Sequence, residues 1–318
     1  MVKIYPIPAE LETKTGISVT LNGEKLGLYD AKVLYPPFKF VKGAPYGIFE
    51  LEGKVDVVVT VPFALEQVDI RPKSKAIAYT FDEHTVLFTL DKPTKISVEF
   101  NNSIENAMAL FAYAPENPAE VPSPDDENVL YFAPGIHEIG NYEIPSGQTV
   151  YLAGGAYVFG EMYTAEGSEN IKILGRGVID GLNSDRHFAH REVEPYFTKN
   201  FLMQDITITD ANGWTVRVFG CDDVVIHDVN IFGYRGNSDG VDVCGSRNVE
   251  VYNMFFRNWD DALAVKAFDT GDMDNIYFHD CTIWNDFARP IEVGYEHRAD
   301  EIKNVHYKNI DIIHSLAG

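Results

Sequence analysis

The chain has little cysteine, a shortage of positive charge and no long hydrophobic run. Its three cysteines, Cys221, Cys244 and Cys281, lack CxxC spacing and cannot form a complete disulfide set, so we expect buried free thiols and no metal site. No apolar run approaches the roughly 20 residues that cross a bilayer. The N-terminus also lacks the charged start and apolar stretch of a secretory signal. These absences predict a cytoplasmic protein, or a secreted one if a leader has been removed.

The charge balance is strongly acidic, with 48 Asp and Glu against 26 Lys and Arg and a net charge of −22. Such a balance argues against nucleic acid and against an anionic membrane surface as partners. It also disfavours a polyanionic substrate, unless basic side chains gather locally. Apolar residues make up 45% of the 318 positions, which is enough for a sizeable core. We therefore expect a globular protein with an uncharged partner.

The first part of the chain, residues 1–125, has the pattern of antiparallel β-structure. "GISVTLNGEKL" (16–26) carries a strand into an Asn22-Gly23 hairpin turn. The segments 55–62, 84–90 and 94–100 alternate or run apolar between Gly, Pro and Asp. Several short strands without helical periodicity predict a β-sandwich domain. The Pro-rich acidic stretch 114–128 follows as a linker.

The second part, residues 126–318, repeats a short phrase in which an Asn or Asp precedes a β-branched or aromatic run. The intervals between these anchors are 30, 23, 25, 27 and 29 residues. The six pairs are Asn170-Ile171, Asn200-Phe201, Asp223-Val224, Asn248-Val249, Asn275-Ile276 and Asn304-Val305. A period of this length indicates a solenoid, and strand-turn-strand content without a Leu scaffold favours a right-handed parallel β-helix over a leucine-rich repeat.

The anchors themselves are expected to be structural, because side-chain amides stacked one rung apart hydrogen-bond along the axis. The chain stops soon after the sixth anchor, and "HSLAG" does not resemble a polar cap. A solenoid needs its end covered. We therefore expect either that the natural protein continues or that a partner covers that face.

Two acidic phrases, "NSDGVD" (237–242) and "WDDALAVK" (259–266), are separated by about one lap of this repeat. Neighbouring laps of a β-helix stack about 4.8 Å apart. Asp239 and Asp260 differ by 21 positions, and Asp261 follows directly. We therefore expect three carboxylates to converge on one surface patch, where like charges raise at least one pKa and the group titrates together.

Clustered carboxylates with separated pKa values supply what inverting glycoside hydrolysis needs. One must be protonated to give its proton to the leaving oxygen, and another must be ionised to activate a water. The competing interpretation is that "NSDG" and "DD" are turn residues and nothing more, since turns favour Asn, Asp and Gly.

The two phrases resemble the N-T-D-G-x-D and D-D-x-x-A-[IV] motifs of the pectin-lyase-like β-helix hydrolases. These include the polygalacturonases of glycoside hydrolase family 28 and the dextranases and isopullulanases of family 49. The resemblance covers roughly 128–318 and implies Asp260 as the general acid, with Asp239 and Asp261 holding and activating the water. It leaves Asp242 to brace the turn, and it places Lys266 after the pair, where it either faces the cleft or is solvated.

Departures from the motifs favour the dextranase-like side of this group. Where polygalacturonases carry G-H-G, this chain has Arg289 and Pro290, and no R-I-K element appears before the chain ends. Dextranases also place a β-sandwich before the β-helix. An aromatic ring suits the apolar face of a sugar. The substrate-binding candidates near the acidic pair are Trp259, Lys266, Arg289, Glu292, Tyr295 and His297.

The sequence thus predicts an inverting glycoside hydrolase that acts on an α-linked, dextran-like glycan or a related saccharide and needs no cofactor. A polygalacturonase-type pectin hydrolase, a β-helix polysaccharide lyase and a non-catalytic glycan-binding solenoid remain open. The acid-only cluster counts against a lyase, which uses a basic residue and often Ca²⁺. A homo-oligomer also remains open.

Overall fold

The computed structural model describes residues 1–35, 40–184, 190–267 and 271–316. The chain folds as two compact units, Met1–Val121 and Pro122–Gly318. Apart from the 3₁₀ turns Ala9–Leu11 and Lys73–Lys75, the regular structure of the described residues is β. None of the helices in this part of the chain is long and apolar enough to cross a membrane.

The first unit is a β-sandwich, as predicted. Its described strands are β1 Val2–Ile4, β2 Ser18–Leu21, β3 Glu24–Leu26, β4 Tyr29–Tyr35, β5 Phe40–Leu51, β6 Val55–Thr60, β7 Val68–Arg71, β8 Tyr79–Phe81, β9 Thr85–Leu90, β10 Thr94–Phe100 and β11 Ser103–Tyr113. One sheet has the order β1-β5-β11-β10-β7, with β4 beside β5, and the other has the order β3-β2-β6-β9-β8. Side chains from both sheets, such as Val57 and Val98, share one buried core.

The predicted hairpin at Asn22-Gly23 is confirmed, because β2 and β3 pair antiparallel with Leu21 opposite Glu24. Asn22 and Gly23 both have positive φ, 50° and 85°. Two central residues of positive φ define the turn whose twist matches that of the flanking strands, and Asn and Gly are the residues that adopt it most easily.

The second unit is a parallel β-helix. Its described strands are β12 Val129–Phe132, β13 Gly135–Ile144, β14 Thr149–Leu152, β15 Ala156–Thr164, β16 Glu169–Gly175, β17 Val178–Asp180, β18 Val193–Glu194, β19 Lys199–Gln204, β20 Thr207–Thr209, β21 Val216–Phe219, β22 Asp222–His227, β23 Asn230–Phe232, β24 Val241–Cys244, β25 Arg247–Tyr252, β26 Phe255–Asn258, β27 Leu263–Lys266, β28 Met273–His279, β29 Thr282–Asn285, β30 Ile291–Val293, β31 Ile302–Lys308 and β32 Asp311–Ser315.

These strands stack in three ladders along the helix axis. Sheet I runs β12-β14-β16-β19-β22-β25-β28-β31. Sheet II runs β17-β20-β23-β26-β29-β32, and sheet III runs β18-β21-β24-β27-β30. The long strand β15 joins the last two, because its first half pairs with β17 and its second half with β18. Each lap therefore contributes one strand to each ladder, as the repeat predicts.

The six anchors of the sequence repeat lie in register on sheet I. The residues that follow them, Ile171, Phe201, Val224, Val249, Ile276 and Val305, are successive register partners. The anchors have φ between 52° and 60°, a left-handed conformation that Asn and Asp tolerate better than other side-chain-bearing residues. The Asn200 amide donates to Asn170 over 2.6 Å, and that of Asn275 donates to Asn248 over 2.9 Å. The predicted structural role of the anchors is confirmed.

The interior of the β-helix is filled by the inward-facing apolar residues of all three sheets. Cys221 and Cys281 belong to this core, and Cys244 is also fully buried. All three thiols are free, as expected.

Candidate active site

The two acidic phrases form consecutive turns from sheet II to sheet III. Asp239 lies in the turn from β23 to β24, and Asp260 and Asp261 lie in the turn from β26 to β27. The turns approach each other so closely that a Cβ on Gly240 would lie 2.3 Å from the carbonyl oxygen of Ala262. Its nearest atoms in the ring of Phe256 would be 2.7 Å away. Only glycine fits this position.

The register of the two turns differs by one residue from the 21-residue separation of Asp239 and Asp260. Val241 pairs with Leu263, and the backbone N–H of Gly240 donates to the carbonyl oxygen of Asp261 over 2.7 Å. The lap therefore has 22 residues at this point. Asp261, and not Asp260, stacks on Asp239, because the turn from β23 to β24 and the turn from β26 to β27 differ in length.

The three carboxylates nevertheless converge. One oxygen from each of Asp239, Asp260 and Asp261 lies within 4.8 Å of the others. Asp239 is 2% exposed and Asp261 is 7% exposed, whereas Asp260 is partly exposed. The three carboxylates were expected on one open surface patch. Only Asp260 is partly exposed, because Asp239 and Asp261 are buried.

Backbone amides fix the orientation of the two adjacent carboxylates. Asp260 accepts N–H bonds of 3.1 Å from Asn237 and from Asp261. The Asp261 carboxylate accepts a 3.1 Å bond from the backbone N–H of Arg289, one lap further on. The side-chain amide of Asn258 donates to the carbonyl oxygen of Asp261 over 3.1 Å. Three successive turns thus hold the cluster.

A buried cation lies beneath this cluster. The ammonium of Lys266 is 2.8 Å from Asp239 Oδ2 and 2.8 Å from Asp242 Oδ1. It also lies 3.8 Å from the ring centroid of Trp214, a distance at which a cation is attracted to the ring face. Lys266 is 3% exposed and Asp242 is fully buried. Lys266 is therefore buried against the carboxylate cluster and is not solvated. Asp242 lies on β24 and pairs with this buried ammonium.

Burial controls the ionisation of these carboxyl groups. It raises the pKa of Asp239 to about 9 and that of Asp242 to about 6. The Asp242 charge adds to the shift of Asp239, and the ammonium of Lys266 opposes both. Since one ammonium cannot offset two buried carboxylates, Asp239 and Asp242 titrate as a coupled pair with raised pKa values. Burial and then the Asp260 charge also raise the pKa of Asp261.

The three clustered oxygens are close enough to surround a small cation. Their separation alone does not distinguish a metal site from an acid–base site. The absence of a metal from the site stays a prediction.

The remaining candidate residues lie around this cluster in different environments. Trp259 is only 5% exposed, because Phe287 stacks on its ring with centroids 4.7 Å apart. Phe287 is 43% exposed, so it is the solvent-facing ring of this stack. Sequence inspection missed Phe287, although its position one lap after Trp259 was a usable signal. Trp214, whose ring lies over Lys266, is also absent from the residues that the sequence assigns to the site.

Residues 289–297 contain the other predicted substrate contacts. The guanidinium of Arg289 pairs with Glu292 over 3.1 Å and lies 5.5 Å from the ring of Tyr295. Tyr295 is 78% exposed. His297 is exposed, and its Nδ1 accepts the backbone N–H of Ala267 over 2.9 Å, which places a ring proton on Nε2. Substrate contact by these residues stays a prediction.

Comparison with known proteins agrees with this geometry. Residues 161–318 match the family model Glycosyl hydrolases family 28. The chain is 23% identical to isopullulanase from Aspergillus niger over 314 residues, covering 79% of this chain and 53% of that protein. The chain thus spans about half the length of this curated relative. Dex49A from Penicillium minioluteum superposes with a TM-score of 0.68 at 15% identity, over 97% of this chain and 84% of that one.

The chain resembles the pectin-lyase-like β-helix glycoside hydrolases in sequence, and it shares the fold of Dex49A. The resemblance predicted from "NSDGVD" and "DDALAVK" is therefore confirmed. The family 28 match contains both of these phrases. A hyperthermoactive exopolygalacturonase from Thermotoga maritima shows a weaker structural likeness, with a TM-score of 0.45 at 14% identity over 57% of this chain and 58% of that one.

Proposed function

We propose that this β-helix glycoside hydrolase cleaves a neutral, α-linked glycan with inversion of configuration. In this mechanism Asp260 is the general acid, and Asp239 and Asp261 hold and activate the water. The observation that carries the proposal is the convergence of three carboxylates from neighbouring turns within 4.8 Å, with Asp260 the partly exposed member.

The exposure of Asp260 suits the acid, because that group must reach the glycosidic oxygen of a bound chain. Asp260 transfers its proton to this oxygen as the bond to the anomeric carbon breaks. A water attacks the same carbon from the opposite face, and its proton passes to Asp261, or to Asp239 when that carboxyl group is ionised. One water oxygen can contact two carboxylate oxygens that are no more than 4.8 Å apart, because two hydrogen bonds of about 2.8 Å can span that separation.

The close spacing also admits one alternative mechanism. Inverting enzymes commonly hold their two carboxyl groups roughly 6.5–9.5 Å apart, whereas retaining enzymes hold them about 5–5.5 Å apart. A retaining route would use Asp261 as a nucleophile that forms a covalent glycosyl-enzyme. The configuration of the first product distinguishes the two routes.

A neutral substrate fits the charges around the cluster better than a uronate does. Lys266 is paired with two carboxylates, and the Arg289 guanidinium with Glu292. Lys266 is therefore not available to hold a sugar carboxylate without breaking an ion pair, and the charge of Arg289 is already offset by Glu292. The same pairing disfavours a lyase, which needs a basic group to abstract a proton. The likeness to isopullulanase, whose name refers to a glucan, points in the same direction.

The test is reducing-end release from dextran, pullulan and polygalacturonate, followed by proton NMR of the first-formed anomer. We expect release from a neutral α-glucan and a product of inverted configuration. Release from polygalacturonate alone would refute the neutral substrate. A retained anomer would refute the inverting roles of Asp239 and Asp261 and support the nucleophile.

A further inference from the structure

Lys266 is held on three sides. Its ammonium makes 2.8 Å contacts to Asp239 and Asp242, and the ring of Trp214 lies 3.8 Å away. Glu296 Oε2 is a more distant partner at 4.0 Å. Since the ammonium has three N–H donors and is 3% exposed, these partners occupy it almost completely. A sugar hydroxyl would have to displace one of them.

The strand geometry explains why Lys266 reaches both carboxylates. Side chains alternate along β24 and β27, so Val241, Val243, Leu263 and Val265 face the core while Asp242 and Lys266 face away from it. Lys266 follows the register partner of Asp242 by two residues, since Asp242 pairs with Ala264. From there its long side chain extends back toward the turn that contains Asp239.

We propose that Lys266 and Asp242 are positioning residues that together fix Asp239 and control its charge. This inference rests on the proposed role of Asp239 in holding the water. It assigns Lys266 to the carboxylate cluster and not to the substrate. Asp239 must be ionised to accept a proton from water, and a neighbouring ammonium favours the ionised form whereas a neighbouring carboxylate disfavours it. The pair thus acts on Asp239 with opposite signs.

Other charged groups also act on Asp239. Asp260 and Asp261 lie beside it, and Arg191 lies over the ring of Trp214, 5.3 Å from its centroid. Arg217, the register partner of Asp242, pairs with Glu194. All of these groups, together with Glu296, are retained when only Lys266 or Asp242 is changed. A comparison between the two variants therefore isolates the proposed effect.

Two substitutions give opposite expectations. Lys266→Met removes the ammonium, so Asp239 should hold its proton to higher pH. Asp242→Asn removes the adjacent carboxylate and keeps Lys266, so Asp239 should lose its proton at lower pH. An interaction between charges this close typically shifts a titration by about one to three pH units. A purely structural role would lower activity in both variants without moving the titration in opposite directions.

The experiment uses the full chain labelled with ¹³C at Asp carboxyl carbons, with the Asp239 signal assigned by its loss in Asp239→Asn. The chemical shift is followed against pH in the wild type, Lys266→Met and Asp242→Asn. Lys303→Met is the matched control, since Lys303 lies on β31 of sheet I, is half exposed and pairs with Glu301. Relative to the wild type, we expect the pH midpoint of the Asp239 titration to rise in Lys266→Met, to fall in Asp242→Asn and to stay unchanged in Lys303→Met. The acid limb of the pH profile of kcat/KM should move in the same directions.

The carboxyl titration does not depend on catalysis, so the two proposals fail separately. Absence of hydrolysis on every glycan would refute the proposed function, while the titration would still test the electrostatic couple. Hydrolysis with an unmoved Asp239 titration in Asp242→Asn would overturn the inference. Asp242→Asn also keeps the test decisive if Lys266→Met does not fold.

Discussion

The ladder of anchors on sheet I allows a quantitative test of how the sequence specifies the β-helix. Asn248 has φ 52° and lies at the centre of the ladder. Its side-chain amide donates to Asp222 over 2.9 Å and to Asp223 over 3.2 Å, and its oxygen accepts from Asn275. Asn248→Gly removes these exposed hydrogen bonds, but glycine adopts the left-handed backbone conformation without strain. Asn248→Ala removes the same bonds and also strains the backbone, because alanine has a Cβ.

The expected magnitudes follow from these two contributions. Each exposed side-chain bond contributes about 0.5 kcal/mol, so Asn248→Gly should lower the free energy of unfolding by about 1–2 kcal/mol. A left-handed conformation costs a residue with a Cβ about 1–2 kcal/mol. Asn248→Ala should therefore be less stable than Asn248→Gly by about 1 kcal/mol, after allowance for the greater freedom of glycine in the unfolded chain.

Urea unfolding followed by tryptophan fluorescence measures this directly. All three tryptophans, Trp214, Trp259 and Trp284, lie in the second unit, so the signal reports the β-helix and not the β-sandwich. Equal stability of the Ala and Gly variants would refute the backbone contribution. Wild-type stability of both variants would refute the ladder as a whole.

Three further perturbations test the site. Because the pKa values of Asp239 and Asp242 are raised, to about 9 and about 6, the folded state binds more protons than the unfolded state between these values and the ordinary aspartate value. The contribution of these groups to the free energy of unfolding should therefore fall from pH 5 to pH 8, by up to about 1.4 kcal/mol per pH unit for each excess proton. In urea titrations, Asp239→Asn should make this pH dependence less steep. A steeper fall in the variant would contradict the assignment. Gly240→Ala should cost about 1–3 kcal/mol and lower kcat, because its Cβ would meet the Ala262 carbonyl oxygen at 2.3 Å; wild-type thermal stability would show that the turn is not tightly packed. Phe287→Ala should raise KM several-fold and leave kcat nearly unchanged, because the exposed ring is far more suited to holding a sugar than to moving a proton; an unchanged KM in initial-rate measurements would remove it from the binding surface.

The sequence predicts the fold well where each lap repeats the same local requirement. An anchor such as Asn200 needs a left-handed conformation and a partner one lap away, and both requirements recur at each rung. The hairpin at Asn22-Gly23 is likewise determined by two adjacent residues. Local rules of this kind can be read without knowing the packing.

The site is less predictable because turn length and packing across laps decide its details. The one-residue difference that stacks Asp261 on Asp239 depends on how far each turn extends, which spacing alone does not give. Alternation along β27 predicts that Lys266 faces outward, but not that Trp214 lies over it. Trp259 is covered in the same way by Phe287, a residue from the next lap.

The turnover of Asp260→Asn on a confirmed substrate, measured beside its affinity by calorimetry, tests the central claim most directly. Asparagine keeps the size of the side chain and one of its two backbone N–H partners, but it has no acidic proton to give to the glycosidic oxygen. We expect kcat to fall by about 10²–10⁴-fold with binding retained. A variant that binds and turns over the glycan like the wild type would show that the carboxylate cluster is not the catalytic centre.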